Sequence, residues 1–129
     1  MQNHIRIKDP KDIPQLVELI HDRWLDAESI TFDAESSIVR IRYFKEMGTS
    51  PPLIGCARFP AFECFLQISG VESFLVRDSQ KIRFYDMNTV TYDPASMCVH
   101  LETGVPIEIR AKVRIFDIAA DETERVVQA

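Results

Sequence analysis

The chain has 129 residues, of which 46% are hydrophobic and 27% are charged, a composition typical of one folded globular domain. No apolar run approaches the roughly 20 residues of a membrane-spanning helix, and the first residues lack the apolar stretch of a signal peptide. A net charge of −5 argues against general nucleic-acid binding, because a surface that meets phosphates must be basic. We therefore expect a single domain over residues 1–129 that binds neither membranes nor nucleic acids.

The three cysteines, Cys56, Cys64 and Cys98, are odd in number and irregular in spacing. This pattern favours reduced thiols that serve as small apolar side chains, as in a reducing compartment. The sequence therefore predicts a cytoplasmic protein.

The first third of the chain predicts one short strand and one helix. Residues 3–8 alternate polar and apolar side chains, which indicates a strand. From Ile13 to Trp24 the apolar residues recur at helical spacing, which predicts an amphipathic helix over residues 13–24 with Asp12 as its N-cap. A helix with such an apolar stripe is expected to pack against a sheet.

From residue 28 onward the hydrophobic period changes to two, which is typical of strands. Residues 29–32 and 38–44 predict a hairpin. Further strands are predicted over 62–68, 71–77, 82–92, 97–102 and 107–115, and the segment 82–92 is expected to break near Asp86. About seven or eight strands with one helix predict an α+β fold. We expect a mainly antiparallel β-sheet, arranged as a meander, sandwich or partial barrel, with one N-terminal amphipathic helix.

Residues 46–60 form the one long irregular stretch that the sequence predicts, because prolines and glycines interrupt strand patterns. Leu53, Ile54 and Phe59 are its apolar residues. Loops of this length in compact domains often bind partners. Two interpretations remain: the loop exposes these three side chains for recognition, or it buries them as a lid on the core.

A polar cluster, consisting of His21, Asp22, Asp26 and Glu28, lies between the predicted helix and the first long strand. Its histidine and carboxylates could act as a general base with an orienting acid, or as metal ligands. Alternatively, a histidine in the last helical turn interacts with the helix dipole, and the acids are solvated. The second interpretation is favoured, because no second histidine or nucleophile stands at a telling spacing.

Cys98 and His100 are two residues apart on a predicted strand, so both side chains leave the same face. That geometry suits a shared metal, but it equally suits the polar side of a sheet. Without a paired C-x-x-C motif the polar side is favoured. We therefore expect neither a metal nor a cofactor.

A basic row, formed by Arg110, Lys112 and Arg114, shares one face of the last predicted strand. Arg40 and Arg42 would extend this row if their strand were its neighbour. The row either meets phosphates or an acidic partner, or it keeps a wet sheet face soluble. The acidic balance of the whole chain favours the second interpretation.

Two stretches are similar to known proteins: Asp26-Ala27-Glu28-Ser29-Ile30 followed by Val39-Arg40-Ile41, and Leu66-Gln67-Ile68-Ser69-Gly70-Val71 followed by Asp86-Met87-Asn88. They resemble small β-rich bacterial domains of unknown function, some of which are grouped with immunity proteins of polymorphic-toxin systems. The resemblance implies a non-enzymatic bacterial protein. It carries over no functional residue.

Together these patterns predict a non-catalytic, immunity-like domain that binds another protein, and the acidic charge would steer it towards a basic partner. One alternative is a small enzyme or ligand-binding domain with a pocket between helix and sheet, in which the polar cluster converges with Cys98 and His100. The other is a structural protein that closes its sheet edges by homodimerising.

Overall fold

A computed structural model describes residues 3–46 and 60–128. One α-helix and ten strands occur in this part of the chain: β1 (Asn3–Ile7), α1 (Ile13–Ile20), β2 (Trp24–Asp26), β3 (Thr31–Asp33), β4 (Ile38–Glu46), β5 (Pro60–Ile68), β6 (Val71–Arg77), β7 (Phe84–Asp93), β8 (Cys98–Thr103), β9 (Glu108–Val113) and β10 (Ile118–Gln128). The strand pairs are antiparallel. The predicted α+β class, with a mainly antiparallel sheet, is confirmed.

The sheet is open, and its strand order is β1-β10-β5-β4-β2-β7-β8-β9-β6, with β3 paired to β4 as well. The short strand β2 lies between β4 and β7. It therefore joins two halves, β1-β10-β5-β4 and β7-β8-β9-β6. We call this junction the seam.

Helix α1 contributes to the core, as its apolar stripe predicts. Leu16 and Ile20 are fully buried, and the helix contacts β7 and β1. The same hydrophobic cluster includes, from the strands, Leu25, Ile41, Tyr43, Cys64, Leu66, Tyr85, Met87, Ile109, Ile118 and Ala120. No helix in the described part of the chain is both long and apolar enough to cross a membrane.

The helix begins at Ile13, as predicted, but it ends at Ile20, four residues before the predicted end at Trp24. Asp12 makes no side-chain cap, whereas Asp9 accepts a hydrogen bond from the Lys11 amide at 3.0 Å and starts a short 3-10 turn. At the other end His21 already has an extended ψ of 133°, which ends the helical path, and Asp22 then adopts a left-handed φ of 65°. Trp24 continues the apolar spacing of the helix but belongs to β2, because it pairs with strands on both sides.

The expected break near Asp86 is instead a bulge within the single strand β7. The register of β7 against β8 shifts between Met87 and Thr89. Tyr85 and Met87 face the core before the shift, and Val90 faces it afterwards. One extra residue moves the buried positions from odd to even numbers, which makes the hydrophobic pattern look interrupted.

Strand β10 was not predicted. Its buried positions Ile118, Ala120 and Glu122 alternate correctly, but the third is acidic and hides the pattern. The hairpin of residues 29–32 and 38–44 is confirmed in outline, since β3 pairs with β4 from Asp33 opposite Ile38.

Truncating either buried residue of α1 tests its place in the core. Leu16→Ala and Ile20→Ala should each lower the free energy of unfolding by about 2–5 kcal/mol, because each leaves a cavity in a packed region. Urea unfolding measures the change, with Gln15→Ala on the exposed side of α1 as the control. Losses below about 1 kcal/mol at both positions would contradict the assignment of this stripe to the core.

Candidate functional site

Along β8 and β9, in the half β7-β8-β9-β6, polar and apolar residues alternate strictly, and the polar residues lie on the outer face of the sheet. Val99, Leu101, Ile109, Ala111 and Val113 point into the core. The residues between them therefore point outwards, because successive side chains of a strand leave opposite faces. Cys98 and His100 thus share the outer face, as predicted from their spacing.

The register places cations directly beside this thiol and imidazole. Lys112 is opposite Cys98, and Arg110 is opposite His100. On the other side β7 sets Asp93 beside Cys98 and Thr91 beside His100. Residues directly opposite in an antiparallel pair have Cβ atoms about 4.5–5.5 Å apart, so the side chains of each row are within contact range.

These rows line a groove of about 760 Å³ on the outer face, which we call the outer groove. Its charged lining consists of Arg110, Lys112 and Arg114 against Glu72 and Asp93. The volume lies within the range of small-molecule sites, which is about 300–1,000 Å³. The groove is thus large enough for a small ligand and carries an excess of positive charge.

A second depression of about 270 Å³ continues the outer groove, because His100 and Arg110 line both. Its acids are Glu102 and Glu108, so we call it the acidic depression. Arg110 Nε lies 3.3 Å from Glu108 Oε1. Within the described residues neither Lys112 nor Arg114 forms an ion pair, which leaves two cations available at one end of the groove.

The polar cluster predicted from the sequence is divided in the structure. The exposed His21 lies with Nδ1 2.9 Å from the Asn88 carbonyl oxygen and with Nε2 3.4 Å from Asp22 Oδ2. Asp26, in contrast, is only 1% exposed. Glu28 lies with Oε2 3.4 Å from Arg83 Nε. These residues therefore belong to two separate environments.

Asp26 is the centre of a buried ion cluster at the seam. Its carboxylate accepts hydrogen bonds from Arg42 Nη2 at 2.8 Å and from Arg83 Nε and Nη2 at 3.1 Å. Burial alone would raise the pKa of Asp26, but the hydrogen bonds from the two guanidinium groups outweigh it and hold the pKa below its ordinary value. A carboxylate paired in this way is a structural anion and a poor proton acceptor.

The structure does not bring the polar cluster together with Cys98 and His100. Asp26 pairs with Phe84 at the start of β7, whereas His100 pairs with Thr91, seven residues further along. Seven residues of strand span roughly 20 Å. The two groups therefore lie at opposite ends of β7.

The predicted extension of the basic row is wrong, because β4 is not a neighbour of β9. Arg42 belongs to the cluster around Asp26. Arg40 lies over the ring of Phe65, with its guanidinium carbon 4.0 Å from the ring centroid. The basic row is therefore limited to Arg110 and Lys112 on β9 and to Arg114 directly after it.

Sequence reasoning missed a polar group on the core side of the sheet. Tyr43, Cys64 and Glu122 stand in direct register across β4, β5 and β10, and Arg23 Nε lies 3.3 Å from Glu122 Oε2. Burial raises the pKa of Cys64 to about 12 and also raises the pKa of Tyr43. The Cys64 thiol and the Tyr43 hydroxyl therefore stay protonated at neutral pH. The only sequence signal was the alternation of β10, which its acidic residues obscured.

The proposed binding residues Leu53, Ile54 and Phe59 lie outside the described residues. Both interpretations of these three side chains, as a recognition surface or as a lid on the core, stay predictions. Among residues 3–46 and 60–128, no group of three or more His, Cys, Asp or Glu side chains is placed to hold a metal ion.

Acid should destabilise the fold through Asp26 and through Asp117, whose pKa is lowered by hydrogen bonds from Arg6 at 2.6 and 2.9 Å. Because both folded pKa values lie below the ordinary aspartate value of about 3.9, both carboxylates stabilise the fold above that pH. Their contribution is lost as the pH falls below it, towards the lower folded pKa.

Urea unfolding at pH 7 and pH 3 measures this effect. Asp26→Asn should cost about 2–3 kcal/mol at pH 7, less than the roughly 3–5 kcal/mol of a fully buried pair, because both guanidinium groups keep contact with solvent. The variant should lose less stability between pH 7 and pH 3 than the parent protein. Parallel losses in both proteins would show that Asp26 does not carry the effect.

Comparisons with known proteins add nothing to these geometric observations. No protein-family model matches the chain, and neither a curated protein nor a solved structure shows significant similarity to it.

Proposed function

We propose that the protein is a non-catalytic binding protein and that the outer groove binds an acidic group of its ligand. The observation that carries this proposal is the row Arg110, Lys112 and Arg114 along one groove, in a chain whose net charge is −5. A local excess of cations attracts anions to that part of an acidic protein, because the remaining surface is negatively charged and repels anions.

The chemistry of the row suits carboxylates. An arginine presents a planar fork that binds two oxygens at once, and a lysine supplies a compact charge. Lys112 lies on β9 and Arg114 directly follows its last residue, and both line the same groove. Their side chains can therefore converge on one carboxylate or contact two carboxylates of a small polyacid.

The groove favours this ligand over the basic partner that the net charge suggested. A basic partner would meet Arg110, Lys112 and Arg114 at the groove, and like charges in contact are unfavourable. The alternative pocket between helix and sheet has less support. The depression between β1 and α1 measures about 370 Å³, about half the volume of the outer groove. The polar groups on the core side are closed to solvent, since Tyr43 and Cys64 are 0% exposed and Glu122 is 3% exposed.

Citrate is a suitable probe, because it carries several carboxylates and fits the groove. In a titration followed by amide chemical shifts at low salt, the largest changes should fall on β8 and β9. The double variant Lys112→Gln/Arg114→Gln should weaken binding about tenfold or more, equivalent to about 1.4 kcal/mol, because two charge-assisted contacts are lost.

The matched control is Lys8→Gln/Lys11→Gln, which removes two exposed cations remote from the groove in sequence. It should change the affinity by less than about twofold, since only long-range attraction is altered. Equal weakening in both double variants, or shifts that avoid β8 and β9, would contradict a specific site.

A further inference from the structure

The charge of the outer face changes sign along the strand direction. One end, in the outer groove, carries Lys112 and Arg114, and the other end, in the acidic depression, carries Glu102 and Glu108. Glu72 and Asp93 also line the outer groove, but the Asp93 carboxylate accepts hydrogen bonds within its own turn, from Ala95 N at 3.0 Å and from Ser96 Oγ at 2.9 Å. His100 and Arg110 line both spaces and so connect them. The two depressions therefore form one continuous surface, which among the described residues has two cations without an ion pair at one end and the carboxylate of Glu102 without one at the other.

The available charges lie at the two ends of this surface. At the acidic end the charge of Glu108 is balanced, because Arg110 Nε lies 3.3 Å from Glu108 Oε1 and Arg77 on β6 stands opposite Glu108. Within the described residues Glu102 forms no ion pair, and neither do Lys112 and Arg114. A ligand that matches this surface has charge at both of its ends and none in its middle.

The register gives the distance between the two ends. Lys112 is level with Cys98, and Glu102 stands four residues further along β8 on the same outer face. Four residues of strand span about 13 Å. Between them, His100 and Thr91 offer side-chain groups that can form hydrogen bonds with a ligand in the middle of the groove.

We propose that the ligand is dipolar and peptide-like, with its carboxylate at Lys112 and Arg114 and its ammonium group at Glu102. An extended peptide of four residues with free termini spans about 13–14 Å, which matches the separation of the two ends. Its backbone amides would lie against the polar middle of the groove. This inference rests on the proposed function, because the carboxylate end uses the same cations.

The probe is tetra-alanine, compared with its N-acetylated and C-amidated forms by titration at low salt. Acetylation removes the ammonium charge and should weaken binding about threefold to fivefold, the size expected for one exposed ion pair. In Glu102→Gln that penalty should disappear, because its partner is gone. Amidation should weaken binding of the parent protein, and this penalty should disappear in Lys112→Gln/Arg114→Gln.

The control variant is Glu35→Gln, which removes an exposed carboxylate in the turn between β3 and β4 and should keep the acetylation penalty. If acetylation costs the same in the parent protein and in Glu102→Gln while citrate still binds at the groove, the dipolar ligand is overturned and the acidic-group proposal stands. If citrate also fails to bind, both proposals fail.

Discussion

The fold depends on the pairing of one buried carboxylate with two arginines at the seam. Strand β2 has only three residues, yet in the strand order of the sheet it alone joins β4 to β7. Asp26 ties β2 to both neighbours, because Arg42 lies on β4 and Arg83 directly precedes β7. Arg42 Nη1 also lies 3.2 Å from Glu63 Oε2, so the cluster extends to β5. Asp26 thereby links β2 directly to two other segments, and a second anion, Glu63, extends the network to β5.

The cluster specifies the register of β2 more than it adds stability. Taking charges out of water has a cost that their attraction only partly offsets. A slip of β2 by one residue would, however, turn Asp26 towards the core and Leu25 towards the outside. Leu25 is now fully buried between Tyr43 and Tyr85, its partners in register. An unpaired carboxylate in that position is strongly unfavourable, so the slipped arrangement is excluded.

Strand β7 connects the seam to the outer groove. Phe84 at its start pairs with Asp26, while Thr91 and Asp93 near its end stand beside His100 and Cys98. The bulge between Met87 and Thr89 decides which residues of the second half face outwards. Without the extra residue Thr91 would face the core and Val90 the solvent. The lining of the outer groove therefore depends on the bulge in β7, which is remote from the cations of the groove.

Local patterns in the sequence were enough to predict the faces of β8 and β9, because strict alternation settles which residues share a side. They could not show which strands are neighbours, so Arg42 was grouped with the basic row when its partner is Asp26. They also could not exclude Trp24 from the helix, because its spacing fits both the helix and a following strand. Only the pairing of Trp24 with β4 shows that it belongs to β2. Partners such as Asp26 and Arg83 are 57 residues apart, and no local pattern reports such a contact.

Native-state amide hydrogen exchange in Asp26→Asn tests the role of the seam most directly. The account predicts faster exchange for the amides of β2 and of its paired segments in β4 and β7, with protection kept where β8 pairs with β9. Asp22→Asn, which removes an exposed carboxylate beside the same strand and suits a left-handed backbone, should leave the pattern unchanged. Unchanged protection at β2 in Asp26→Asn, or an even loss across both halves of the sheet, would contradict the account.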